Sequence, residues 1–183
     1  MVYSNGLENR RPQGLVGSNP TPSATKMPPR KVDPLLFETY MAVIKNSAGS
    51  HAFRNFYATV NNKKIDLMRN GELSCAFFIS NVLSAFNLMK GIQITVNRTV
   101  RDMKQSGWKR IKKPKIGSVL VWEPVDTGKR DIHRHIGFYL GKGKAVSNSA
   151  KKGIPVIHHW TFGTNKRKPK RRVEAIFWHR KLG

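Results

Sequence analysis

Cysteine is nearly absent. Cys75 stands alone in 183 residues, so no internal disulfide can form and packing must hold the fold. Acidic side chains are scarce as well, ten Asp and Glu against 34 Lys and Arg. With so few carboxylates and a single thiol, no ligand set has the make-up of a metal site, and no cofactor is expected. No run of 18 apolar residues occurs, which argues against a membrane-spanning helix. The N-terminus lacks the charged, then apolar, then small-residue order of a secretory signal. The expected location is the cytoplasm, or the exterior by a non-classical export route. Self-similarity at the periods of repeat architectures is missing too. What these absences leave is one domain long enough to bury a real core.

The formal charge is +24, and residues 101–183 carry +17 of it. Its densest runs are Lys109-Arg110-Ile111-Lys112-Lys113-Pro114-Lys115 and Lys166-Arg167-Lys168-Pro169-Lys170-Arg171-Arg172. Such a field attracts polyanions: nucleic acid, anionic headgroups or acidic wall polymers. The plainer alternative is a solvated surface. Residues 1–30 are rich in Pro, Ser, Asn, Gly and Arg without apolar periodicity, which predicts disorder and no function. The stretch from Gly6 to Pro20 also resembles an in-frame translation of a transfer-RNA gene, which predicts Met27 as the natural start. An ordinary disordered tail is the other reading. Residues 31–183 read as a single domain.

Along that domain, Asp33-Pro34 ahead of Leu35, Leu36, Tyr40, Val43 and Ile44 predicts an N-capped amphipathic helix. Phe56–Val60 and Lys64–Leu67 flank Asn61-Asn62, a hairpin signal. Cys75 then opens a helix whose apolar residues recur at Phe78, Ile79, Val82, Leu83 and Phe86, with Gly91 as the expected C-terminal cap. A capping-box spacing from Thr99 to Asp102 predicts a further short helix, closed by Gly107. From Trp108 onward the chain reads as strands: Ser118–Trp122 apolar throughout and so central, then Ile132–Leu140, Lys144–Asn148, Val156–Trp160 and Val173–Trp178. Helices first and consecutive short strands after them predict an α+β domain with an antiparallel sheet.

A lone cysteine is most simply a small buried hydrophobe. On the first turn of a helix, however, the dipole should lower the thiol pKa and favour the nucleophilic thiolate. A partner lies downstream. Strand alternation puts His133, His135, Gly137 and Tyr139 on one face, and Ile136, Phe138 and Leu140 on the other. The space over Gly137 could admit the Cys75 helix, so that the His135 imidazole takes the thiol proton and returns it to a leaving amine. His133 reads as an exposed rim residue. His158 and His159 read as structural, and Trp122, Trp160 and Trp178 as packing residues.

Three blocks carry a resemblance to the NlpC-type papain-like cysteine peptidases, with CHAP amidases as close cousins. Ser74-Cys75-Ala76-Phe77-Phe78-Ile79-Ser80 is similar to the family's nucleophile block, Pro114–Trp122 to its Pro-Gly-Asp-Leu-Val-Phe-Trp strand, and His135–Gly141 to its histidine strand. Together they span roughly residues 70–150 in the family's order. The resemblance implies a papain-like fold, with N-terminal helices packed on an antiparallel sheet and the nucleophile at a helix start. It implies Cys75 as nucleophile, His135 as general base, and a polar residue on the next strand to orient the imidazole. Ungapped counting gives Ser147 for that role, and side-chain chemistry favours Asn148. Ser74 and Phe77 depart from the family pattern, and Phe77 is expected to crowd the floor beside Cys75. The activity implied is a thiol hydrolase acting on peptide or peptidoglycan-type amides. Acyl transfer to an amine, or a basic nucleic-acid-binding module on an inactive scaffold, are the alternatives.

Overall fold

Two patches of alternating apolar residues, one on each face of a single sheet, organise the molecule. The structure, a computed structural model, describes residues 31–126 and 132–183. The expectations for residues 1–30 lie outside them. Helices α1 (Leu36–Asn46), α2 (Cys75–Ala85) and α3 (Val96–Gln105) precede most of the strands. A hairpin of β1 (Tyr57–Val60) and β2 (Lys63–Asp66) stands between α1 and α2. The main sheet is built from β3 (Trp108–Arg110), β4 (Val119–Asp126), β5 (Ile132–Gly141), β6 (Lys144–Ser149), β7 (Ile154–His159) and β10 (Val173–His179). Its order is β3-β10-β4-β5-β6-β7, every neighbouring pair antiparallel. A small hairpin, β8 (Thr164–Asn165) and β9 (Lys168–Pro169), precedes β10. The domain is therefore α+β, and Pro34–Gly183 form one compact unit.

The helix ends differ from the sequence expectation for local reasons. α1 starts after Leu35 rather than at Asp33-Pro34, and Thr39 Oγ1 donates to the Leu35 carbonyl at 2.7 Å. α2 stops at Ala85, short of Gly91, because Asn87 takes a left-handed conformation at φ 52°. Leu88 N–H then donates to Leu83 O and Asn87 N–H to Ser84 O, the paired bonds of a Schellman end. α3 begins at Val96, with Thr95 accepting from Arg98 N–H at 3.4 Å, so Thr99 lies inside the helix. The β1–β2 turn follows the sequence reading, Asn61 and Asn62 both at positive φ.

α2 is buried on nearly every side, by Ala76, Phe77, Phe78, Ile79, Val82 and Leu83, as befits a central helix. It packs with α1 and α3 on the face bearing Val119, Val121, Ile136, Phe138, Val146 and Phe177. Tyr40 and Phe78 both meet the Phe138 ring edge-on, at 5.8 and 5.6 Å. The opposite face carries Leu120, Trp122, Ala145 and Ile176, covered by Tyr139, Trp160, Phe162 and Val173.

This corrects the expected docking of α2 over Gly137. The missing Gly137 side chain makes room for Trp122 and Ser147 within the sheet face: an added Cβ would sit 2.6 Å from Val146 O, 2.7 Å from Ser147 Cβ and 2.9 Å from Trp122 Cη2. Gly137→Ala should cost about 1–3 kcal/mol by overpacking. A denaturant titration reads this as a lower midpoint at unchanged slope; an unchanged midpoint would mean that the face yields freely.

Candidate functional site

The thiol is positioned by a loop that two carboxylate-and-amide anchors hold. Asp66, at the end of β2, accepts from the N–H groups of Phe56, Met68 and Asn70 and from Asn55 Nδ2, at 2.7–3.0 Å. Burial pushes its carboxyl up, but the hydrogen bonds from Asn70, Phe56, Asn55 and Met68 outweigh this and hold the pKa at about 2. The loop runs through Arg69, Asn70 and Gly71, all at positive φ, to Ser74 and Cys75. Asn148 Nδ2 donates to Gly71 O at 2.6 Å. Ser74 Oγ and Asn148 Oδ1 are buried without a hydrogen-bond partner among the described residues.

Cys75 is the first residue of α2. Its thiol faces the N–H groups of Ala76, Ile136 and Cys75 itself, and the charge of Arg171. These favour the thiolate, as a helix start should, yet burial is larger and pushes the pKa up to about 11. The expected lowering is thus reversed: the resting thiol is protonated. Ile136 N–H belongs to the peptide group that leaves His135, so the thiol meets β5 at the histidine position. Phe77 stacks on Phe56 of the approach to β1, ring centroids 5.2 Å apart.

His135 lies on the face of Trp122 and Gly137, opposite Trp122 in the β4–β5 register. Burial, then the charges of Arg171 and His158, push its pKa down to about 3, so the imidazole is neutral at neutral pH. His135 Nε2 lies 2.8 Å from Ser147 Oγ. Ser147 Oγ lies 2.7 Å from His158 Nε2, and His158 Nδ1 lies 2.8 Å from the His159 carbonyl. Of the two candidates for the residue next to His135, Ser147 makes the bond and Asn148 does not. The reason is alternation: Ser147 pairs with Gly137 on the His135 face, and Asn148 turns to the helix side. Asn148 holds the loop before Cys75 instead.

Sequence reasoning missed three members of this cluster. His158, read as structural, sits two residues along β7 from Val156, the register partner of Ser147, and this alternation was legible. Phe162 stacks on the His158 ring at 4.2 Å and meets His135 at 5.8 Å and Trp122 at 5.3 Å. Its φ of 59° is costly for a bulky side chain, and strain of this kind persists where its surroundings fix it. Arg171 was hidden in a charge run. Its Nε donates to Glu123 O at 3.0 Å and its Nη2 to His133 O at 2.7 Å, with the guanidinium 5.7 Å from the Phe162 ring centre. His133 is exposed, and His159 Nδ1 turns to Thr161.

No protein-family model and no curated protein matches the chain. Among the described residues, no helix is long and apolar enough to cross a membrane.

Proposed function

We propose that the chain is a cysteine hydrolase of papain-like fold, cleaving an amide bond through a thioester acyl-enzyme. The observation that carries this reading is the ordered imidazole: His135, neutral and bonded through Nε2 to Ser147, sits on the strand whose next residue, Ile136, turns its N–H to the Cys75 thiol. The three sequence blocks similar to the NlpC-type peptidases fall on the start of α2, on β4 with its approach, and on β5.

In the first half-reaction Cys75 Sγ attacks the amide carbonyl while its proton passes to His135 Nδ1. The carbonyl oxygen gains the charge and accepts from the unpaired N–H groups at the start of α2, that of Cys75 among them. Collapse breaks the C–N bond, and the amine leaves with the proton from His135. Water then attacks the thioester, giving its proton to His135, and the thiol is released. The substrate class is a wall-type peptide, which the cationic surface would also attract electrostatically.

The test is incubation with purified peptidoglycan stem peptides, followed by mass spectrometry. The expected products are two fragments whose summed mass exceeds the substrate by one water. Cys75→Ala should reduce the rate by roughly a thousandfold or more. Equal turnover by that variant, or binding with no cleavage of any stem peptide, would overturn the reading.

A further inference from the structure

We infer that His158 is a positioning residue, which sets the tautomer of His135 through the hydroxyl of Ser147. The inference deepens the hydrolase reading and rests on it for its consequence, although the hydrogen-bond logic stands by itself. The chain of bonds has a fixed end. The His159 carbonyl can only accept, and it is held by a second donor, Phe162 N–H at 2.7 Å. His158 Nδ1, at 2.8 Å from that oxygen, must therefore carry a proton. A neutral His158 then has a bare Nε2, which accepts the hydroxyl proton of Ser147 across 2.7 Å. With its proton committed there, Ser147 Oγ can only accept from His135, across 2.8 Å. His135 Nε2 thus holds the ring proton, and Nδ1 is left as a lone pair.

That is the form a general base needs, a bare nitrogen on the edge of the ring away from Ser147, and the alternative tautomer would put an N–H there. Burial lowers the His158 pKa, which keeps the ring neutral as the chain requires. Trp122, whose ring lies 5.5 Å from His135 and 5.8 Å from His158, and Phe162 together clamp both imidazoles. The rings therefore cannot turn to other partners without unpacking this face. Ser147 is buried at 1% exposure, so bulk water does not compete for its hydroxyl.

The test uses the full chain, with histidines labelled by ¹⁵N, and two readouts. Long-range ¹H–¹⁵N spectra identify the tautomer of His135, and mass spectrometry follows iodoacetamide alkylation of Cys75 at pH 7. His158→Gln retains an acceptor for Ser147 and a donor for the His159 carbonyl. It should keep the Nε2–H tautomer and an alkylation rate within about threefold of the native one. His158→Leu fills the space but offers no acceptor, which frees the Ser147 proton to turn on His135. It should shift the ring proton toward Nδ1 and slow alkylation about tenfold or more, the equivalent of about 1.4 kcal/mol. Ser147→Ala cuts the same chain in a smaller side chain, and gives the same tautomer readout if the leucine variant does not fold. Retention of the Nε2–H tautomer in both disrupting variants would overturn the inference. So would equal losses in the Gln and Leu variants, because packing alone would then explain them. A shifted tautomer with unchanged alkylation supports the relay and removes the hydrolase reading instead.

Discussion

Replacing His135 by alanine is expected to slow alkylation of Cys75 at pH 7 by about a hundredfold and to change the form of its pH dependence. Two routes lead to the alkylated thiol. The direct route needs free thiolate, and burial holds the Cys75 pKa at about 11. At pH 7 the thiolate fraction is then on the order of 10⁻⁴, rising tenfold per pH unit. The assisted route needs only a neutral imidazole. His135, lowered to about 3, is neutral throughout pH 5–9, so this route is flat across that range. General-base assistance contributes typically 10²–10⁴-fold, enough to dominate at neutral pH. The native protein should therefore show a plateau, and His135→Ala a line of unit slope meeting it only at alkaline pH. A line of unit slope in both proteins would mean that His135 does not serve the thiol, and the catalytic reading would fall.

The plateau depends on desolvation, which no helix pattern displays. Sequence periodicity located α2, the position of Cys75 on its first turn, and the apolar stripe that buries it. It therefore predicted the local part of the electrostatics correctly in sign: the N–H groups of Ala76 and Cys75 do favour the thiolate. The larger opposing effect is desolvation by the tertiary packing of Cys75 against the core. The strands were legible for a related reason. Val119–Trp122 is continuous in apolar residues because one side meets the helices and the other meets the Trp160–Phe162 cover. Which face α2 would choose was not legible, since Ile136 and Phe138 on one side and Gly137 on the other both offer a docking surface. The outcome follows from bulk: the Trp122 indole fills the space over Gly137.

The third residue shows the same division. Alternation within one strand is strictly local, but relating β6 to β5 requires the register across the turn Gly141-Lys142-Gly143, where the β5–β6 pairing shifts between Tyr139 and Gly141. Side-chain chemistry favoured Asn148; the register gives Ser147 the bond and needs His158 beyond it to orient the hydroxyl. Serine can donate or accept, so alone it leaves the imidazole tautomer undetermined. With Asn148 as the orienter there is no hydroxyl to fix. His158 was therefore invisible as long as Asn148 filled the role.

Arg171→Gln is expected to slow Cys75 alkylation about tenfold at pH 7 and to move the acid limb of the profile upward by about one pH unit. The guanidinium is half-buried, held by the carbonyls of Glu123 and His133, and its charge acts on both Cys75 and His135. It favours the charge that develops on Cys75 sulfur and opposes the charge that develops on His135. Removing it raises both pKa values, and a charge at close range is worth about one to three units. For Cys75 this makes attack harder. For His135 it moves protonation from about 3 toward the ordinary 6.5, so the base is lost at a higher pH. The polar groups facing His135 are Ser147 from β6, His158 from β7 and Arg171 ahead of β10; of these only Arg171 carries a charge at neutral pH. Stability gives a second, substrate-free readout. A histidine with a lowered folded pKa binds fewer protons than its unfolded form, so stability falls as pH drops below about 6.5. In Arg171→Gln that loss should level off at a higher pH and be smaller in total, because the folded-state pKa lies nearer the unfolded one. Arg172→Gln is the control for net charge: Arg172 pairs with the Glu123 carboxylate at 3.1 Å, on the surface, and should leave alkylation unchanged. Equal effects from the two variants would assign the change to the overall field. A larger effect from Arg171 alone would separate one arginine of the basic run, whose charge reaches Cys75 and His135, from its neighbour Arg172 on the surface.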